Sequence, residues 1–165
     1  MKTGQLIITS KGVDHVCLYD PKDRELISQF AWSLNSQGYA VTQKNGKSIL
    51  MHRLLLNVTD PQVHCDHINH IGTDNRRENL RICTPSQNQH NRRKQKSSSN
   101  FKGITKFQGK YFAQIRSDNN YHYLGLFRNE RTAARVYDQA AKRLHGEFAC
   151  TNNLDPLPEQ TKLPL

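Results

Sequence analysis

Long apolar runs are missing from this chain, as are paired cysteines and, over a long central stretch, acids of any kind. No segment approaches the roughly 18 apolar residues that a spanning helix needs, and no basic, apolar, small-residue signal opens the sequence. A helical membrane protein is excluded, and a soluble, cytoplasmic one is expected. Hydrophobic residues make up only 35% of the chain, which excludes a large α/β core and favours small β-rich units whose function sits on surfaces and loops. Cys17, Cys65, Cys83 and Cys150 stand singly. Without a Cys-x-x-Cys pair to present two thiolates to one zinc ion, and in a reducing compartment, they are expected as buried free thiols with no disulfide.

Scarcity of acid shapes the charge. Lys and Arg outnumber Asp and Glu by 24 to 14, a net charge of +10, and a polyanion is the natural partner of such a chain. Between Asn79 and Ser117 there is no acid, while Arg81, Arg92, Arg93, Lys94, Lys96, Lys102, Lys106, Lys110 and Arg116 all fall there. Phe101, Phe107, Tyr111 and Phe112 are interleaved with them. Basic runs with interleaved aromatics mark nucleic-acid surfaces more often than merely solvated faces.

At 165 residues the chain fits one ordinary domain or two small ones. The first fifty residues read as short strands around Leu6-Ile7-Ile8, Val16 to Tyr19 and Gly38 to Gln43. Asn45-Gly46 supplies the positive φ angles of a tight hairpin, so residues 39–43 are expected to pair with 48–52. Residues 95–100, with Ser97-Ser98-Ser99, read as a linker. Three strands follow at 101–107, 110–117 and 121–127, divided by Gln108-Gly109 and Asp118-Asn119-Asn120. From Glu130 the period becomes helical, with Ala133, Val136, Tyr137, Ala140, Ala141 and Leu144 on one face. Asn129 is placed to cap its start and Gly146 to close it in a left-handed conformation. The tail from Leu154, with Pro156, Pro158 and Pro164, is expected to be loose.

One stretch carries chemistry. Residues 63–67 form a short strand that ends in an aspartate and a histidine, Asp66-His67, and runs into a polar loop. Consecutive strand residues point to opposite faces, so the two share a site only if the strand twists or ends between them. A second strand, Leu80 to Cys83, leads through Thr84-Pro85 into a helix bearing Asn88, His90 and Asn91. The order is strand, loop, strand, helix.

Through Asp66-His67-Ile68-Asn69, Asn75-Arg76-Arg77-Glu78-Asn79-Leu80-Arg81 and Ser86-Gln87-Asn88, residues 48–93 resemble the HNH nucleases with a ββα-metal fold. Met51-His52-Arg53 resembles the element that precedes the site in homing-endonuclease members. The resemblance implies that Asp66 and Asn88 hold a divalent cation, Mg²⁺ in the first place with Mn²⁺ as the alternative, because hard oxygen ligands suit it. It implies His67 as general base and Asn79 as the residue that steadies that ring through the surrounding backbone. Arg81, Arg92 and Arg93 would clamp phosphates. Asn88 stands where many members carry histidine, and His90 is a competing ligand on the same helix. The bland alternative pairs Asp66 with a nearby arginine and has Asn79 capping a turn.

Residues 101–153 resemble the AP2/ERF DNA-binding domain. The likeness runs through Phe101-Lys102-Gly103-Ile104, 109–116, Tyr123-Leu124-Gly125-Leu126-Phe127 and 133–141. That family packs one helix on a three-stranded antiparallel sheet and lays the open face in the DNA major groove. Alternation agrees with a two-faced sheet: Tyr111, Ala113 and Ile115 share one side, Phe112, Gln114 and Arg116 the other. The open side would then offer Gln114 to adenine and Arg116 to guanine or phosphate, with Tyr121 and Tyr123 beside them, and Lys102 and Lys106 are expected among the DNA-binding residues. Thr105, Gln114 and Tyr123 depart from the plant pattern, so its base preference does not transfer.

The expected molecule is an α+β protein. It has a nuclease domain with N-terminal β-hairpins over 1–94, a linker over 95–100, an AP2/ERF-like domain over 101–153 and a flexible tail over 154–165. A metal-dependent, homing-type DNA endonuclease is expected, acting as a monomer on double-stranded DNA, nicking it, and using no small-molecule cofactor. The rival from another class is a DNA-binding regulator with an inert nuclease unit. An RNA-directed protein fits less well, because the deep, narrow groove of RNA does not admit such a sheet.

Overall fold

A computed structural model describes residues 3–94, 96–118 and 120–155. The chain is mixed α+β, with four small antiparallel sheets among the described residues, and it divides into two compact units between Pro85 and Ser86. No described helix is long and apolar enough to cross a membrane.

In the first unit, β1 (Gly4–Ser10) and β2 (Val13–Tyr19) form a hairpin. After a 3₁₀ turn (Pro21–Asp23) and the short helix α1 (Arg24–Ser28), a second sheet joins β3 (Ser33–Leu34), β4 (Ala40–Lys44) and β5 (Lys47–Leu50). Asn45 and Gly46 take φ of +51° and +73°, the conformation of the tight turn read from that dipeptide. Pairing runs from Val41↔Leu50 to Lys44↔Lys47, and then the chain leaves the expected strand: Met51 and His52 open the helix α2 (Met51–Leu55). The apolar run Ile49-Leu50-Met51 has no period that tells strand from helix, and packing decides it. Met51 is wholly buried in a core with Ile8, Cys17, Tyr19, Ile27, Ala40, Leu55 and Leu80.

The hairpin of β6 (His64–His67) and β7 (Leu80–Cys83) closes this unit, with a 3₁₀ turn at Arg77–Asn79 leading into β7. Arg53 of α2 anchors its entry, donating from Nη1 to Val63 O (2.7 Å) and from Nη2 to Asp60 O (2.6 Å). Arg77 ties its far end to Asp23 (2.8 Å).

The helix α3 (Pro85–His90) starts at the division, and all of it after Pro85 belongs to the second unit. Three strands, β8 (Ile104–Phe107), β9 (Lys110–Ser117) and β10 (Asn120–Phe127), follow with β9 at the centre, and α4 (Glu130–His145) packs on one face. Asn129 accepts a hydrogen bond from Thr132 N–H (3.0 Å) at the start of α4. Gly146 ends the helix at φ +54°, ψ −128°, so φ is positive as expected but ψ is not that of the left-handed helix. Ala133, Ala140 and Ala141 let the helix lie close on Ile104, Ala113, Ile115 and Leu124.

Residues 101–103 are not strand. Gly103 has φ +75°, and a Cβ there would meet the Tyr137 ring at 2.0 Å. The serine stretch is tied down as well: Ser99 is buried and donates to Glu130 Oε1 (2.8 Å). Leu154, read as the start of a loose tail, packs on the core and bonds through its N–H to Asp138 (3.3 Å). Apolar burial and a buried carboxylate acceptor hold it against its proline-rich context. The expectation for the rest of the tail lies outside the described residues. All four cysteines are free; Cys17 and Cys83 are buried, Cys65 and Cys150 only half-buried.

Candidate functional site

Asn79 sits at the centre of the loop that joins β6 to β7. Its Oδ1 accepts from Asn69 N–H (2.9 Å), and its Nδ2 donates to Asn69 Oδ1 (3.0 Å) and Asp74 O (2.8 Å). Its own carbonyl takes the N–H of Ile68 (2.9 Å). One side chain thus splints both ends of the loop that follows His67. Asp74 completes the brace by accepting from Asn69 Nδ2 (2.8 Å) and pairing with Arg76 (2.7 Å). The Arg76 hydrogen bond holds the Asp74 carboxyl below the usual carboxylate range.

The ring of His67 is only 5% exposed. Its Nε2 lies 3.2 Å from Asn75 Oδ1. Tyr39 stacks on one face with centroids 5.6 Å apart, and His52 meets the ring edge-on at 4.9 Å. Gly72 lets the loop press on this cage, since a Cβ there would come within 2.8 Å of the Tyr39 ring. Burial lowers the His67 pKa, opposed by the hydrogen bond to Asn75 and the charges of Asp66 and Asp74, so the ring is a neutral imidazole at pH 7. His52 is driven further, to about 3, first by burial and then by the His67 ring and the Arg53 charge. Its Nδ1 is buried with no hydrogen-bond partner among the described residues.

Asp66 has other neighbours. The strand does not end before His67, which still pairs with Leu80, and the Asp66 carboxylate lies against Arg81 through Nη2 (2.8 Å) and Nε (3.1 Å). Both side chains of this pair are close to 10% exposed. Arg81, expected on phosphate, therefore holds the carboxylate. Among the described residues no cluster of three or more His, Cys, Asp or Glu side chains forms a ready-made metal cage. The oxygens of Asp66 and Asn88 are hard donors of the kind that fit Mg²⁺.

Asn88 lies on α3, in the second unit. His90, the competing ligand, stacks on His145 with centroids 3.7 Å apart and planes 7° from parallel. Lys102 donates from Nζ to the carbonyls of His90 (2.7 Å) and Arg92 (2.6 Å), closing the C-terminal end of α3. Its ammonium thus serves the fold, which its place in a basic run did not reveal. Arg92 and Arg93 are exposed and, with Lys94, Lys96, Thr105 and Gln114, line a cleft of about 440 Å³.

Register sets the open face of the three-stranded sheet. Ala113 and Ile115 are buried under α4, so Lys110, Phe112, Gln114 and Arg116 face away from it. Tyr121 stands opposite Arg116 and Tyr123 opposite Gln114, both well over half exposed. Arg116 lies 5.5 Å from the centre of the Tyr121 ring, a cation–π distance, and Phe112 and Tyr123 are 5.0 Å apart. Lys106, exposed on the edge strand β8, pairs with Tyr111, whose ring packs on the core, so it belongs to the helix side of the sheet and not to the open face expected to meet DNA.

His52 and Asn75 stand inside longer motifs, and neither has a role that is legible in the sequence. Nothing in the linear order brings Asn75 to Cys17 or His52 to His67.

Over 136 residues the chain is 32% identical to an uncharacterized HNH endonuclease of Acanthamoeba polyphaga mimivirus, covering 79% of this chain and 71% of that protein. Over 73 residues it is 41% identical to APETALA2-like protein 2 of both indica and japonica rice, covering 39% of this chain but only 17% of the rice proteins. No family model matches the chain, and no solved structure matches it.

Proposed function

The chain belongs to the HNH endonucleases, and from that premise we propose that it is a metal-dependent, homing-type endonuclease that nicks double-stranded DNA. The observation that carries the reading is the His67 ring, buried, neutral and caged at the end of β6, just before a loop that Asn79 splints from both ends.

Hydrolysis of a phosphodiester needs a proton acceptor for the attacking water and a positive centre for the charge growing on phosphate. His67 is the acceptor, kept unprotonated by burial. Asn79 holds the loop and so the ring's position. Asp66 and Asn88 are the residues that would hold the divalent ion, Mg²⁺ or alternatively Mn²⁺. Bound there, it would supply Lewis-acid stabilisation of the phosphate and the leaving oxygen. Arg81 holds the Asp66 carboxylate in place through Nη2 and Nε. Arg92 and Arg93 bind phosphate, and the sheet face of Gln114, Arg116, Tyr121 and Tyr123 binds the major groove. One such site per chain gives one nick per monomer.

The test is supercoiled plasmid with Mg²⁺, with and without chelator, beside His67→Ala. Chelator-sensitive nicking that His67→Ala abolishes is expected. Tight binding with no such nicking would hand the protein to the rival reading of a DNA-binding regulator, which the Arg81–Asp66 pair favours. Arg116→Ala is expected to weaken binding while leaving residual nicking at low salt; equal affinity in a band-shift assay removes Arg116 from the interface.

A further inference from the structure

Asn75 is completely buried, at 0% exposure, between the N-terminal hairpin and the His67 ring. Its backbone N–H donates to Leu18 O (2.8 Å), while Leu18 N–H donates to Thr73 O (2.8 Å). A parallel bridge between Leu18 and Asp74 completes the seam. β2 therefore grips the loop by its backbone directly beside the ring.

The side chain is gripped too. Asn75 Nδ2 donates to Cys17 Sγ (3.2 Å) and lies 3.5 Å from Gly72 O. A carbonyl oxygen only accepts, so the amino edge of the amide must face Gly72 and the oxygen edge must face His67. An amide oxygen cannot donate, so the hydrogen in the 3.2 Å contact belongs to His67 Nε2. Burial pushes the Cys17 thiol up, so it keeps its proton and donates to Met51 Sδ (3.6 Å). The buried series His67, Asn75, Cys17, Met51 runs in one donor direction throughout. Reversing its first step would set a ring lone pair against an amide oxygen with no water between them.

We propose that Asn75 is a positioning residue that fixes the tautomer of His67, holding the hydrogen on Nε2 and the basic lone pair on Nδ1. The catalytic meaning of this rests on His67 being the base. A neutral histidine left to itself distributes its proton between both nitrogens, and a base with the proton on the wrong one cannot accept from water. The N-terminal hairpin thereby acquires a role in catalysis, reaching the base through Cys17, Leu18 and Asn75.

Two-bond ¹H–¹⁵N spectra of the histidine rings, recorded on metal-free full-length protein at pH 8 and assigned with His67→Ala, read the tautomer directly. The wild-type ring is expected to carry its hydrogen on Nε2. Asn75→Ala, or Asn75→Leu if the alanine chain fails to fold, is expected to show mixed tautomers and a kcat for nicking about 10- to 100-fold lower with KM little changed. Asn75→Asp keeps an acceptor in place and is expected to restore the Nε2–H form and most of the rate. A wild-type ring protonated on Nδ1, or an Nε2–H ring that persists in Asn75→Ala or Asn75→Leu, overturns the proposal. Undiminished nicking by His67→Ala overturns the base assignment and with it the catalytic meaning of Asn75. The spectra distinguish that failure from a failure of the tautomer hold.

Discussion

His52 shows how one buried side chain links the cage around His67 to the stability of the first unit. Its folded pKa, about 3, lies below the value near 6.5 of an unfolded histidine, so the unfolded chain binds the extra proton between those limits. Stability from keeping His52 neutral is therefore full above about pH 6.5 and declines as pH falls toward 3. At roughly 1.4 kcal/mol per pH unit, acidification from pH 7 to 5 should cost about 2 kcal/mol through this residue. Urea unfolding of wild type and His52→Phe at both pH values measures it, and an equal pH dependence in the two proteins would refute it. The sequence places histidine at 52 and 67, but their edge-on contact at 4.9 Å arises only when α2 packs against β6. Asn79 was easier to read, because its partners Asn69 and Asp74 lie within ten residues on one loop.

Among the elements, α4 and the three-stranded sheet were legible because their periods, 3.6 and 2, are uninterrupted and their turns carry recognisable residues. The helices α1 and α2 were not: five residues each, they are too short for a period to show. The approach of residues 101–103 to α4 was equally hidden. Gly103 permits it, with positive φ and the Tyr137 ring where a side chain would start. Gly103→Ala should cost about 2–4 kcal/mol, combining a strained backbone with overpacking. The chain's one tryptophan, Trp32, belongs to the first unit, while the long helix belongs to the second. Denaturation followed by far-UV circular dichroism should shift more than denaturation followed by Trp32 fluorescence. An unmoved helical signal would show that the contact at Gly103 tolerates a methyl group.

For the whole molecule, a net charge of +10 and an acid-free stretch from Asn79 to Ser117 make a polyanion the expected partner whatever the fold. If Arg92 and Arg93 each neutralise one phosphate, Arg92→Ala/Arg93→Ala should flatten the slope of log affinity against log salt by about 1.8, at roughly 0.9 per contact with duplex DNA. Fluorescence anisotropy over a salt series checks this, and an unchanged slope removes both from the backbone contacts. The sequence by itself determined the charge, the strand, loop, strand, helix order around Asp66 and His67, and the two-faced alternation of β9. These are properties of neighbouring residues and of period, and need no distant partner. Only the tertiary structure decided which cations reach solvent and which hold the fold, as Lys102 and Arg81 do. It alone set Asn75 between Cys17 and His67. A side chain's task depends on the acceptors and apolar surface that folding brings within about 3 Å of it, and across 58 residues of chain no local pattern records that meeting.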